Sequence, residues 1–212
     1  MQERVWYVPE SGVADYSAFD FQGWESPDMF GNANPVMIEY CSGNGAWIAQ
    51  KAIENPHINW IALDKRFDRV KRIWAKIQNF QLPNLIAVYG EALFFSQKYL
   101  SNACLAGAFI NFPDPWPKRH HEKHRLVEPK FLDELNRILK PESELTIVTD
   151  DVGYSQWILK HTLAHKDFKS LYPEPYFVQE LPGYGTSFFE NLWREQGLTI
   201  HYHRYQKQSS VL

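Results

Sequence analysis

Leu105-Ala106-Gly107-Ala108-Phe109-Ile110-Asn111-Phe112-Pro113-Asp114-Pro115-Trp116-Pro117-Lys118 is the stretch on which the reading of this chain turns. Its first six residues form an apolar run of strand length. Pro113, Pro115 and Pro117 follow at alternate positions, and prolines so spaced exclude both a helix and a central strand. Asp114, Trp116 and Lys118 are therefore expected on a stiff loop just beyond a strand end, which is where open α/β sheets build their sites.

Around this stretch the pattern alternates. Residues 36–40 and 58–63 read as short buried strands, the second ending in Asp64, and helices are expected over 46–53 and after Asp64, where Phe67, Val70, Ile73, Trp74 and Ile77 fall at helical spacing. Further strands are expected at 85–89, 105–112 and 145–149, with a helix between the last two, marked by Phe131, Leu132, Leu135, Ile138 and Leu139 and stopped by Pro141. A helix over 152–165 and strands near Phe168 and over 198–205 complete the pattern. The class is α/β, a mostly parallel sheet with helices on both faces.

The chain has 212 residues, 44% hydrophobic and 16% aromatic, enough for one core. Net charge is −3, so it is no polycation, and contact with nucleic acid must come from local patches. Residues 1–30 carry six acids against Arg4 but are rich in aromatics, and read as a packed acidic arm ahead of a domain over 31–212. Lys65, Arg66, Arg69, Lys71, Arg72 and Lys76 oppose only Asp68, and the proline-rich loop runs into Lys118, Arg119, Lys123 and Arg125 beside three histidines. An acid, an aromatic and a basic string on one loop suggest nucleic acid. Cys41 and Cys104 lack metal-ligand spacing and fit a reducing compartment. With neither a signal-type start nor a membrane-length apolar run, a cytoplasmic protein is expected.

The turn Glu39-Tyr40-Cys41-Ser42-Gly43-Asn44-Gly45 joins the first of these strands to its helix, and its glycines would let the backbone approach a cofactor. Ile48 stands where a dinucleotide fingerprint needs its third glycine. Asp64 can instead accept from both hydroxyls of a ribose, and Glu39 can face a cation. Both suit S-adenosylmethionine; equally, Gly43 and Gly45 can mark any tight turn and Asp64 can cap a helix.

Taken with Thr149-Asp150 and Ser187-Phe188-Phe189-Glu190, the turn and the Asn111-to-Arg125 segment make the chain resemble the bacterial tRNA (guanine-N7-)-methyltransferase family, from about Phe30 to Tyr205. The resemblance implies a Rossmann-like class I methyltransferase fold and transfer of a methyl group from S-adenosylmethionine to N7 of a guanosine in tRNA, at position 46 of the variable loop. By position it implies Glu39, Gly43, Gly45, Asp64, Glu91 and Asp114 on the cofactor side, with Asp114 also catalytic. On the tRNA side it implies Lys118, Asp150, Ser187, Phe188, Phe189 and Glu190. Three departures stand out: Cys41 in place of the first glycine of the turn, Glu91 in place of an Asp or Asn, and His120 and His124 in place of arginines.

The chemistry agrees. Guanine offers donors on its Watson–Crick edge, for which Asp114, Asp150 and Glu190 are candidate acceptors, and Trp116 can stack on a splayed base. N7 is nucleophilic without losing a proton, so alignment and a carboxylate for the resulting cation are the main needs. Blander readings stand beside these: Asp114 as a turn residue, Asp151 as the cap of the next helix, Arg69, Arg72 and Lys76 as a solvated face, His161 and His165 as an ordinary pair with no nearby acid or cysteine to complete a metal site. No metal is expected, and the chain is expected to act as a monomer or homodimer. Two rivals remain open, an exocyclic-amine methyltransferase and a catalytically silent RNA-binding module.

Overall fold

All six residues of β3 (Asn59–Asp64) are buried, the signature of a parallel strand covered on both faces. In a computed structural model, residues 4–8, 23–185 and 188–209 are described. Before β3 come β1 (Val5–Tyr7), α1 (Pro27–Phe30), β2 (Val36–Tyr40) and α2 (Ala46–Glu54). After it come α3 (Phe67–Phe80), β4 (Leu85–Tyr89), α4 (Ala92–Tyr99), β5 (Leu105–Asn111), a 3-10 helix (Arg119–His124), α5 (Pro129–Ile138) and β6 (Leu139–Thr149). The described chain closes with α6 (Val152–Thr162), β7 (Phe168–Ser170), α7 (Phe188–Glu195) and β8 (His201–Lys207).

The sheet runs β1-β4-β3-β2-β5-β6-β8-β7, parallel except that β8 is antiparallel to both β6 and β7. Its two faces have separate cores, because alternate residues of a strand point to opposite sides. Ile61 and Leu63 pack with Phe95 of α4, Phe131 and Leu135 of α5 and Tyr154 of α6. Trp60 and Ala62 pack with Trp47 of α2, Val70 and Ile73 of α3, and Tyr184.

Several boundaries differ from the sequence expectation. The helix expected to run to Pro141 ends at Ile138, and β6 begins at Leu139, which pairs with Leu105. Pro141 therefore lies inside a strand, at an irregularity: the register jumps from Leu105↔Leu139 to Gly107↔Glu144, and Glu142 takes φ 64°. The helix begun at Val152 ends at Thr162 rather than running to 165. Helix α4 was not foreseen. Within the N-terminal stretch, β1 adds a parallel edge strand to β4, and Trp24 and Phe30 are buried against Phe95 or each other. Tyr16, Phe19 and Phe21 lie outside the described residues.

Candidate active site

Strand order reverses at β2, which has β3 on one side and β5 on the other, so the carboxyl ends of these strands flank a crevice. A cavity of about 340 Å³ opens there, lined among others by Cys41, Asp64, Glu91, Asp114, Trp116 and Arg69. Residues from the ends of β2, β3, β4 and β5 thus meet at one place.

Asp64, at the end of β3, is 2% exposed. Its Oδ2 accepts from the Gly43 N–H at 2.9 Å and from Arg69 Nη1 at 3.4 Å, and its Oδ1 accepts from the Arg66 N–H at 2.9 Å. Burial pushes its pKa up, opposed by these donors. Asp64 therefore joins the β2–α2 turn to the start of α3. The Arg69 contact corrects the expectation of a solvated basic face: Arg69 turns from that face to the buried carboxylate, while Arg72 stays exposed.

In the turn, Cys41 has φ 62°. A cysteine thus holds the left-handed conformation that glycine adopts most readily, so the backbone keeps the turn although the side chain differs. Burial raises the Cys41 thiol pKa, which makes it a poor nucleophile. Gly45, with φ 73°, is needed for a reason the sequence did not reveal: a Cβ there would stand 2.7 Å from Ile73 Cγ1. At Gly45 the close approach is to helix α3.

Glu39, 2% exposed near the end of β2, is not among the residues that line the cavity. Its Oε1 accepts from Asn111 Nδ2 at 2.7 Å, and the Tyr184 hydroxyl donates to Asn111 Oδ1 at 2.9 Å. Its Oε2 has no hydrogen-bond partner among the described residues, and burial pushes its pKa up to about 7. Asn111 and Tyr184 were not singled out as site residues. Asn111 stood in the quoted stretch, but nothing in the spacing showed that its amide turns back to Glu39.

Glu91 lines the cavity while capping α4, its two oxygens accepting from the Leu93 N–H at 3.1 Å and the Phe94 N–H at 2.7 Å. Asp114 is exposed and paired with Lys65, Nζ to Oδ2 3.0 Å. Trp116, with φ 44°, has the rings of His121 and His124 at 5.5 and 5.2 Å.

Other predicted site residues lie apart from the cavity lining. Lys118 is exposed at the start of the 3-10 helix. Asp150 is half-buried, its pKa raised by burial and by Asp151, which caps α6 through the Tyr154 N–H at 2.6 Å as expected. Glu190 is buried in α7, where Oε1 accepts from the Tyr202 hydroxyl at 2.6 Å and Arg194 Nε at 3.1 Å. Phe188 and Phe189 begin α7, and Ser187 lies outside the described residues. His165 lies 3.2 Å from Asp133, and no group of metal-ligating side chains occurs among the described residues.

A methyltransferase family model, described as "Putative methyltransferase", matches residues 33–202. A tRNA (guanine-N(7)-)-methyltransferase of Chlamydia caviae is 40% identical over 211 residues, 100% of this chain and 92% of that protein. The chain belongs to the tRNA (guanine-N(7)-)-methyltransferase family. A member from Syntrophotalea carbinolica is 31% identical over 174 residues, 82% of this chain and 75% of its own length. Among solved structures, the 16S rRNA methyltransferase KamB matches with TM-score 0.61 at 18% identity, covering 87% of this chain and 94% of that one. An rRNA methylase from Streptococcus thermophilus gives 0.56 at 11% identity, covering 83% and 88%. These likenesses establish the fold, a Rossmann-like class I methyltransferase.

Proposed function

We propose that this chain transfers the methyl group of S-adenosylmethionine to N7 of guanosine 46 in the variable loop of tRNA. The reading rests on family membership together with one observation: Asp64 of β3 and Asp114 of the proline-rich loop line the same cavity at the point where strand order reverses. A silent RNA-binding module would have no use for that pairing of a buried carboxylate with an exposed one.

The residues present fit the cofactor. Glu39 Oε2 is buried and unpartnered, an acceptor that a cationic group would satisfy. Asp64 sits where it can take the ribose hydroxyls, with the left-handed turn at Cys41 and Gly43 alongside. Glu91, which lines the cavity and is oriented by the helix it caps, would take the adenine side. S-adenosylmethionine supplies an electrophilic methyl group on a sulfonium.

In this reading Asp114 accepts from the Watson–Crick edge of guanine, exchanging Lys65 for the base, and its charge stabilises the guanosine cation that methylation creates. The N7 lone pair forms the new bond while the carbon–sulfur pair stays on sulfur, so no base is needed to remove a proton. In this reading Lys118 contacts phosphate and Asp150 serves tRNA binding. Glu190, tied to Tyr202 and Arg194, holds α7 in place rather than reaching the base. We further propose a cytoplasmic location, in keeping with two free cysteines and with no described helix long and apolar enough to cross a membrane.

The test is methyl transfer from labelled S-adenosylmethionine to unmodified tRNA, followed by digestion to nucleosides. 7-Methylguanosine is the expected product. Label in an N2-methylated guanosine would favour the exocyclic-amine reaction.

A further inference from the structure

Arg125 ends the basic string that follows the proline-rich loop, and its position in sequence suggested a phosphate contact. The structure turns it the other way. Arg125 is 7% exposed, in contrast to the exposed Lys118 and Lys123 of the same string. Its Nε donates to the Pro115 carbonyl at 2.9 Å and its Nη2 to the Trp116 carbonyl at 3.3 Å. Nη1 lies 3.5 Å from Glu122, and the guanidinium sits over the rings of Trp157 and Tyr154 at 4.7 and 5.6 Å.

The loop needs such a partner. Pro113, Pro115 and Pro117 supply no N–H, so the segment around Asp114 cannot brace itself with a run of backbone hydrogen bonds. Phe112 and Trp116, on either side of Asp114, have φ of 48° and 44°, a region that side-chain-bearing residues seldom occupy unless their surroundings hold them there. The carbonyls at 115 and 116 are the ones a fixed, planar donor can grip, and a guanidinium is such a donor, with several N–H groups in one rigid plane. The aromatic floor of α6 and the ion pair with Glu122 fix the plane in turn.

We propose that Arg125, which borders the same cavity, is a positioning residue for methyl transfer: through the Pro115 and Trp116 carbonyls it sets the backbone that carries Asp114 and Trp116, and it makes no contact with tRNA. This rests on the reading of Asp114 given above. The displacement of a catalytic group by about 1 Å is enough to lower a rate a hundredfold.

The test compares wild type, Arg125→Gln and Arg125→Lys by thermal unfolding, S-adenosylhomocysteine binding, kcat and KM for tRNA, and tRNA affinity against salt. Arg125→Gln is expected to bind S-adenosylhomocysteine within a few-fold of wild type and to keep the wild-type salt slope, while kcat falls roughly a hundredfold. Arg125→Lys, with one donor group in place of a fork, is expected to recover part of that loss. A purely structural role would lower the unfolding temperature without this selective loss of kcat at a temperature where the variant is folded. If Arg125→Gln does not fold, Arg125→Lys carries the test through the same kcat and salt-slope readings. Wild-type kcat in either variant that folds overturns the proposal, as does a salt slope reduced by about 0.7–0.9, which would mean a lost phosphate contact. Failure of wild type itself to form 7-methylguanosine would instead overturn the reading of function.

Discussion

Asn111, the last residue of β5, donates its Nδ2–H to Oε1 of Glu39 on the neighbouring strand β2 at 2.7 Å. Through Asn111 the loop that carries Asp114 is connected to the buried acid of the cofactor turn. The bond favours ionised Glu39, yet burial outweighs it and holds the pKa up at about 7 against an ordinary value of 4.5. Below pH 4.5 Glu39 is protonated folded and unfolded; between 4.5 and 7 the folded state retains a proton that the unfolded state releases. Stability should thus decline as pH rises through this window and level off above it, with an upper limit on the order of 3 kcal/mol from this group. Chemical denaturation of wild type and Glu39→Gln at pH 5 and pH 8 checks it: the variant should lose this component of the decline.

Asp64→Ala removes an acceptor that joins the Gly43 and Arg66 amides and would bind the ribose. Cofactor affinity should fall by about 1.5–3 kcal/mol, the range for hydrogen bonds to a charged group. Calorimetry on the folded variant reads this directly. Unchanged affinity would remove Asp64 from the cofactor site.

Gly45 and Gly183 both have positive φ, 73° and 77°, but only Gly45 has a neighbour where a Cβ would go. Gly45→Ala should cost about 2–4 kcal/mol, combining left-handed strain with overpacking against Ile73, whereas Gly183→Ala should cost about 1–2 kcal/mol from strain alone. Equal losses in urea unfolding would show that the contact with α3 relaxes freely.

The strand–turn–helix at Glu39 to Gly45, Asp64 at the end of β3 and the stiff loop at Asp114 were legible because glycine, proline and apolar periodicity act locally. Other features depend on which way a side chain turns, and spacing alone does not encode that. Arg125 and Lys123 are two residues apart in one basic string, yet one is buried under the loop and the other is exposed. Glu91 reads as a binding acid and proves also to cap α4, a helix whose Leu93, Phe94 and Phe95 run together without a clear amphipathic period. Tyr184 reaches Asn111 from 73 residues away, a contact only the folded sheet creates.

Lys118 and Lys123 are exposed, Lys123 in the lining of the cavity, and remain the cations of the string available to phosphate among those whose side chains are described. Each replacement by alanine should lower the slope of log tRNA affinity against log salt by about 0.7–0.9, leaving cofactor affinity unchanged. A double variant with the wild-type slope would move the tRNA footprint elsewhere.

The most direct measurement uses two tRNAs that differ by one atom, with guanosine or 7-deazaguanosine at position 46. Both should bind, since phosphate contacts and the Watson–Crick edge are shared. The first should accept one methyl group at that nucleotide and the second none, because the lone pair at position 7 is gone. Methyl transfer onto the 7-deazaguanosine, or onto a different nucleotide of the first tRNA, would contradict N7 chemistry at guanosine 46.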